Sequence, residues 1–190
     1  MKMNNTFKIG MVAIIAFASF AFTSLITKEV KISESTVNWK GYKVTGEHSG
    51  TIQLKEGTLT FEGDKLTGGQ IVIDMESIKV TDMEGEYADK LAGHLKADDF
   101  FGTKKFPTAT LKFTKLSGHG AHYHVTADMT IKGITSPINF EMQVAANSAT
   151  AKLKIDRTKY GIKYGSASFF DDLKDKAISD EFDIDVAIKF

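Results

Sequence analysis

Cysteine is absent from the 190 residues. That excludes a disulfide framework, a thiol nucleophile, a thiolate metal site and a lipidated cysteine behind an export leader. Tryptophan occurs once and proline twice, and Pro107 opens an alternating run, where a strand tolerates it. Neither sign of charge is in excess, with 24 Lys and Arg against 24 Asp and Glu. No segment concentrates the basic residues, so the electrostatic footprint of a nucleic-acid binder is missing. Long apolar runs are lacking too, apart from one at the start of the chain.

That run extends from Ile9 to Ile26 without a charge and follows Lys2 and Lys8. A basic n-region before an apolar stretch is the pattern of a secretory leader, and Ser19 and Ala21 place small residues before a possible cut. Residues 1–26 are therefore expected to be a signal peptide, or otherwise an N-terminal anchor, with residues 27–190 forming one exported domain, periplasmic or secreted.

Past the leader the period is two. Val37 and Trp39 share a face, as do Ile52 with Leu54, Leu59 with Phe61, and Ile71 with Ile73. Turns are expected at Glu56-Gly57, Glu62-Gly63-Asp64 and Gly68-Gly69. Further on, runs of two to five inward residues begin at Ala109, Tyr123, Ile138, Leu153 and Phe182, each opposing polar neighbours. About eight one-faced strands with short turns imply a mainly β protein, an antiparallel meander whose last strand pairs with its first. Period two favours a barrel over a sandwich without deciding between them. The dry faces would bring Trp39, Phe61, Ile73, Phe113, Tyr123, Met129, Phe140 and Phe182 to one interior.

Two segments break the alternation. Tyr87, Leu91 and Leu95 recur every four residues, which predicts an amphipathic helix lying across the barrel mouth. A second short helix is expected over residues 168–176, capped by Ser168, with Phe169, Phe170 and Leu173 facing inward. Between them, HLKADDFFGTKKFPTATLKFT (94–114) leaves the helix, plugs a gap with Phe100 and Phe101, and enters a strand at Pro107.

Catalytic chemistry finds little support. Asp98 and Asp99 are adjacent, so they diverge by about 100° on a helix and cannot flank one bond together. His94 stands one turn before Asp98 and is expected to bond it. GHGAHYHV (118–125) places His122 and His124 on one strand face, as two zinc ligands can be. That face is opposite Tyr123 and Val125 and hence wet, so no native metal site, cofactor or catalytic residue is expected.

The order of several motifs resembles the YceI family. They run from Asp89 through His94-Leu95, Asp99-Phe100-Phe101 and Phe106-Pro107-Thr108-Ala109-Thr110, then Asp128-Met129-Thr130-Ile131-Lys132-Gly133-Ile134-Thr135-Ser136-Pro137-Ile138 and Asp156-Arg157-Thr158-Lys159-Tyr160-Gly161-Ile162. The resemblance implies an exported, lipocalin-like antiparallel barrel of about eight strands with one or two short helices at its mouth. It also implies an apolar interior that holds a long chain: a polyisoprenoid, an isoprenoid quinone or a fatty-acid derivative. The cavity wall would then comprise Trp39, Phe61, Ile73, Leu91, Phe100, Phe113, Tyr123, Met129, Phe140, Phe169 and Phe182, with transient membrane contact possible. The competing readings are a hydrolase or isomerase acting on such a lipid through His94 or His48, and a filled barrel serving as a structural or interaction module.

Overall fold

The computed structural model describes residues 24–190, so the expected leader lies outside the described residues up to Thr23. Leu25 and Ile26, at the end of the apolar run, already belong to a strand. The strands are β1 (Leu25–Glu29), β2 (Thr36–Lys43), β3 (Gly46–Glu62), β4 (Lys65–Val80), β5 (Thr108–His119), β6 (His122–Ile131), β7 (Ile134–Ala145), β8 (Ser148–Asp156) and β9 (Ile178–Lys189). One α-helix, α1 (Glu86–Lys96), joins β4 to β5.

Strands β2 to β9 close into an eight-stranded barrel, in which every pairing is antiparallel. Consecutive strands pair from β2 to β9, β9 returns to β2, and β1 is an extra strand on β3. The expected closure of the last strand on the first runs from Thr36↔Ala187 to Lys43↔Ile178. Apolar residues face inward and charged ones outward, the reverse of a barrel that crosses a bilayer with its strands.

Two of the expected turns are not turns. Glu56-Gly57 lies within β3, paired to Val72 and Ile71, and Gly68-Gly69 lies within β4. Their glycines serve close approach. A Cβ on Gly57 would sit 2.7 Å from the Ile71 side chain, and one on Gly69 would sit 2.7 Å from the Phe113 ring. An extra residue at Thr114 re-phases β5, which lets both Phe113 and Leu116 pack on the core.

Connectivity gives the barrel two unlike ends. The β3–β4, β5–β6 and β7–β8 turns and the C-terminus share one end with β1. There Leu59, Phe61, Leu66, Tyr123, Val125 and Phe190 are buried, Phe61 and Phe190 stack at 5.6 Å, and the Lys28 ammonium lies 5.0 Å over both rings. The Tyr123 hydroxyl accepts the Leu66 N–H at 3.0 Å, so its polar tip is satisfied within the core. The β2–β3 and β6–β7 turns, α1 and the 157–177 connection occupy the opposite end.

The expected helix over 168–176 is not formed. Only a 3-10 turn, Lys174–Lys176, is present, and Asp172 and Lys174 take left-handed φ values of 61° and 47° that interrupt any longer helix. Ser168 donates to the Asp180 carboxylate and caps nothing. Phe169 and Phe170 are exposed, with the Lys163 ammonium 4.4 Å over the Phe169 ring.

Candidate functional site

The half of the barrel beyond the packed end is hollow, with a cavity of about 170 Å³. Its wall is almost wholly apolar. Trp39, Ile73, Phe113, Met129, Phe140 and Phe182 line it, as their strand phase anticipates, and Phe100 lines it from the 97–107 junction. The Trp39 indole donates to Lys79 O at 3.1 Å and lies against Gly50, where a Cβ would come within 2.7 Å of the ring.

Four expected wall residues stand elsewhere. Phe61 and Tyr123 face inward but lie in the packed end, one against Phe190 and the other bonded to Leu66. Leu91 is half-buried, and Leu95 one turn later is the helix residue that reaches the cavity. Phe169 is turned to solvent on the 157–177 connection. The histidine expected to bond Asp98 does not do so: Asp98 pairs with Lys105 at 2.7 Å. His94 instead packs edge-on to Tyr164 and Phe100, at ring distances of 4.5 and 5.6 Å, and joins α1 to the 157–177 connection.

One point of the wall is irregular. Gly41 pairs with Phe182 and Lys43 with Ile178, so Ser179, Asp180 and Glu181 stand opposite Tyr42 alone. Gly41 lines the cavity there, and nothing lies within 4 Å of where its Cβ would be. The three-against-one mismatch beside a missing side chain interrupts the ladder between β2 and β9, a gap in its hydrogen bonding.

Two carbonyls of β9 beside this gap, and one of the 157–177 connection, accept from Arg157, the only arginine in the chain. Its Nε donates to Ser179 O at 2.9 Å, Nη2 to Ile178 O at 3.0 Å and Nη1 to Ile162 O at 3.0 Å. The guanidinium is buried at the cavity wall, 5.6 Å over the Phe100 ring, with Asp180 Oδ1 3.6 Å away. Burial lowers its pKa from the ordinary value, while Asp180 and Asp156 oppose the shift. A rigid fork of donors suits three divergent carbonyls, which one ammonium does not match.

The outer face of the gap is clamped as well. Asp183 accepts from Lys154 Nζ at 2.9 Å and from the Tyr42 hydroxyl at 2.6 Å. Those hydrogen bonds, Lys154 first, hold its carboxyl below the ordinary aspartate value against partial burial. A depressed carboxylate stabilises the fold above its unfolded pKa, near 4, and the contribution is lost as pH falls through the folded value. The difference in thermal stability between the native chain and Asp183→Asn is thus expected to be full at neutral pH and to vanish in acid below about pH 4. A constant difference down to strong acid would show that the ionised carboxylate is not the source.

No group of three or more His, Cys, Asp or Glu among the described residues could hold a metal ion. His119, His122 and His124 are exposed, and His124 pairs with Glu141 at 2.8 Å on the outer face. Replacing all three with Gln is expected to change stability by less than about 0.5 kcal/mol and to leave cavity binding intact, as read by urea unfolding and ligand titration. His48 does bond an acid, Asp82, at 2.8 Å, but neither residue lines the cavity and no hydroxyl among the described residues is bonded to the imidazole.

A family model described as a YceI-like domain matches residues 28–190. Protein YceI of Escherichia coli O157:H7 is 28% identical over 95 residues, covering 50% of this chain and 48% of that protein. Protein YceI of Salmonella agona is 28% identical over 138 residues, covering 67% and 69%. The chain spans about half the length of most of the curated relatives it matches. Among solved structures, Burkholderia cenocepacia BcnA superposes with a TM-score of 0.69 at 22% identity, over 85% of this chain and 99% of that one. A polyisoprenoid binding domain from Saccharophagus degradans superposes with a TM-score of 0.59 at 18% identity, over 87% and 98%. Both show the same fold.

Proposed function

Because the chain belongs to the YceI family, we propose that its barrel binds a long apolar chain, such as a polyisoprenoid, an isoprenoid quinone or a fatty-acid derivative, and carries or sequesters it without covalent chemistry. The observation that carries this reading is the hollow half of the barrel, an apolar cavity in a protein whose other half is packed solid. A filled barrel acting only as a structural module would have no need of it, since interiors pack to crystal-like density by default. The Saccharophagus degradans domain of the same fold is described as polyisoprenoid binding, which supports a lipid ligand in general.

Shape and chemistry narrow the ligand. At about 170 Å³ the cavity is smaller than the roughly 300–1,000 Å³ of pockets that enclose drug-sized molecules. It suits the end of a slender chain whose remainder leaves past Gly41 at the mouth end. Apolar burial at ~25 cal/mol per Å² would supply most of the affinity, and selectivity would follow chain length. An exported location, expected from the leader, would put such a carrier outside the cytoplasm.

Native mass spectrometry of protein purified from an exporting host, followed by organic extraction, tests the reading. An apolar adduct released by solvent is the expected result. Protein that emerges uniformly empty, and that takes up neither fatty acids nor prenyl lipids in titration, would reject it.

A further inference from the structure

Exposed large apolar side chains are not scattered over this barrel. Eight occur among the described residues, and six of them, Val44, Tyr87, Ile134, Tyr164, Phe169 and Phe170, sit at the hollow end. They come from four separate connections: the β2–β3 turn, α1, the β6–β7 turn and the 157–177 connection. The other two, Leu25 and Ile26, stand at the packed end on β1, next to residues outside the described range. Four independent segments exposing apolar groups around one opening indicate a shared contact rather than a local packing defect.

We propose that the mouth end docks on a lipid bilayer surface, with Phe169 and Phe170 as the inserted tip. This rests on the reading of the cavity as a lipid site. A ligand chain that left a bilayer through water would expose its methylenes at about 0.8 kcal/mol each. A mouth seated on the bilayer avoids that exposure, and the rim surrounds that same mouth. The composition also fits the interface: four of the six side chains are aromatic, and lysines lie over two of them, Lys163 4.4 Å from the Phe169 ring and Lys90 5.8 Å from Tyr87.

Charge takes no leading part. The 157–177 connection carries Lys159, Lys163, Lys174 and Lys176 against Asp171, Asp172 and Asp175, with Arg157 buried. Near-balanced charge does not demand anionic lipid, so attachment is by apolar insertion and depends little on salt.

Phe170→Trp in the full chain tests this, with vesicles of phosphatidylcholine and with its brominated analogue. The added fluorescence, measured over that of Trp39, is expected to shift to the blue and to be quenched by brominated lipid, equally at low and high salt. Asp64→Trp, in the exposed β3–β4 turn at the opposite end, should show neither effect. Adding Tyr164→Ser and Phe169→Ser to Phe170→Trp should weaken vesicle affinity about tenfold or more. No response at residue 170, equal quenching at residue 64, or a response only to anionic vesicles at low salt overturns the proposal. So does a blue shift that follows protein concentration without vesicles, because the patch would then pack against a second copy.

A fluorescent fatty acid titrated without vesicles separates this from the ligand reading. Binding unchanged by Tyr164→Ser and Phe169→Ser supports a docking role distinct from the cavity. Quenching at residue 170 in a protein that binds no fatty acid would uphold docking and overturn the cavity reading alone.

Discussion

Arg157→Met is expected to lower stability by about 3–5 kcal/mol, the range for removing one member of a buried charged cluster. Three backbone carbonyls, of Ile162, Ile178 and Ser179, lose their donor together. Each buried acceptor left unmatched costs about 1–3 kcal/mol, and methionine fills much of the space without offering a proton. Arg157→Lys should fall between, since one ammonium restores a charge but not a planar fork. Urea unfolding measures both. A loss under about 1 kcal/mol for the methionine variant would mean that water satisfies the carbonyls and that the guanidinium does not hold the β9 side of the gap.

Met129→Trp should leave the barrel folded and abolish uptake of the longest ligands. Met129 lies on β6 in the wall of the hollow half, with Phe113 and Phe140 on neighbouring strands. An indole there takes volume from a cavity of about 170 Å³ without adding charge. Overpacking costs about 1–3 kcal/mol, which this fold should survive. Titration of a series of prenyl lipids or fatty acids, with circular dichroism as the folding control, reads the effect. Loss of affinity should grow with chain length. Undiminished binding of every length in the folded variant would place the site outside the barrel.

The alternation of polar and apolar residues identified the barrel strands and the face each presents, because a side-chain period of two is a local property of extended backbone. It also marked the break at Tyr87-Leu91-Leu95, where α1 forms. Height along the axis was not legible. Phe61 and Tyr123 share the inward phase of Phe113 and Met129, yet lie in the packed end, because height depends on register and on how far each strand runs. Two glycine pairs read as turns proved to be mid-strand, since Gly57 and Gly69 respond to side chains from other strands, Ile71 and Phe113. Phe169 had helical spacing, but the left-handed residues Asp172 and Lys174 prevent a helix there. The wall position of Arg157 went unassigned, although a signal existed: it is a lone arginine among lysines, at the end of a strand, where a fork of donors has a use that an ammonium lacks.

A barrel solid at one end and hollow at the other does not open as a unit. Amide protons around Leu59, Leu66 and Val125 are expected to exchange with solvent only when the whole chain unfolds. Those beside the three-residue mismatch at Ser179–Glu181, where ladder bonds are already missing, exchange through local opening at smaller free energy. Breathing of the mouth and loss of the fold are then separate events with separate rates. Substitutions near Phe61 and Phe190 are expected to change how long the protein survives, and substitutions near Gly41 to change the exchange rates of the proposed ligand.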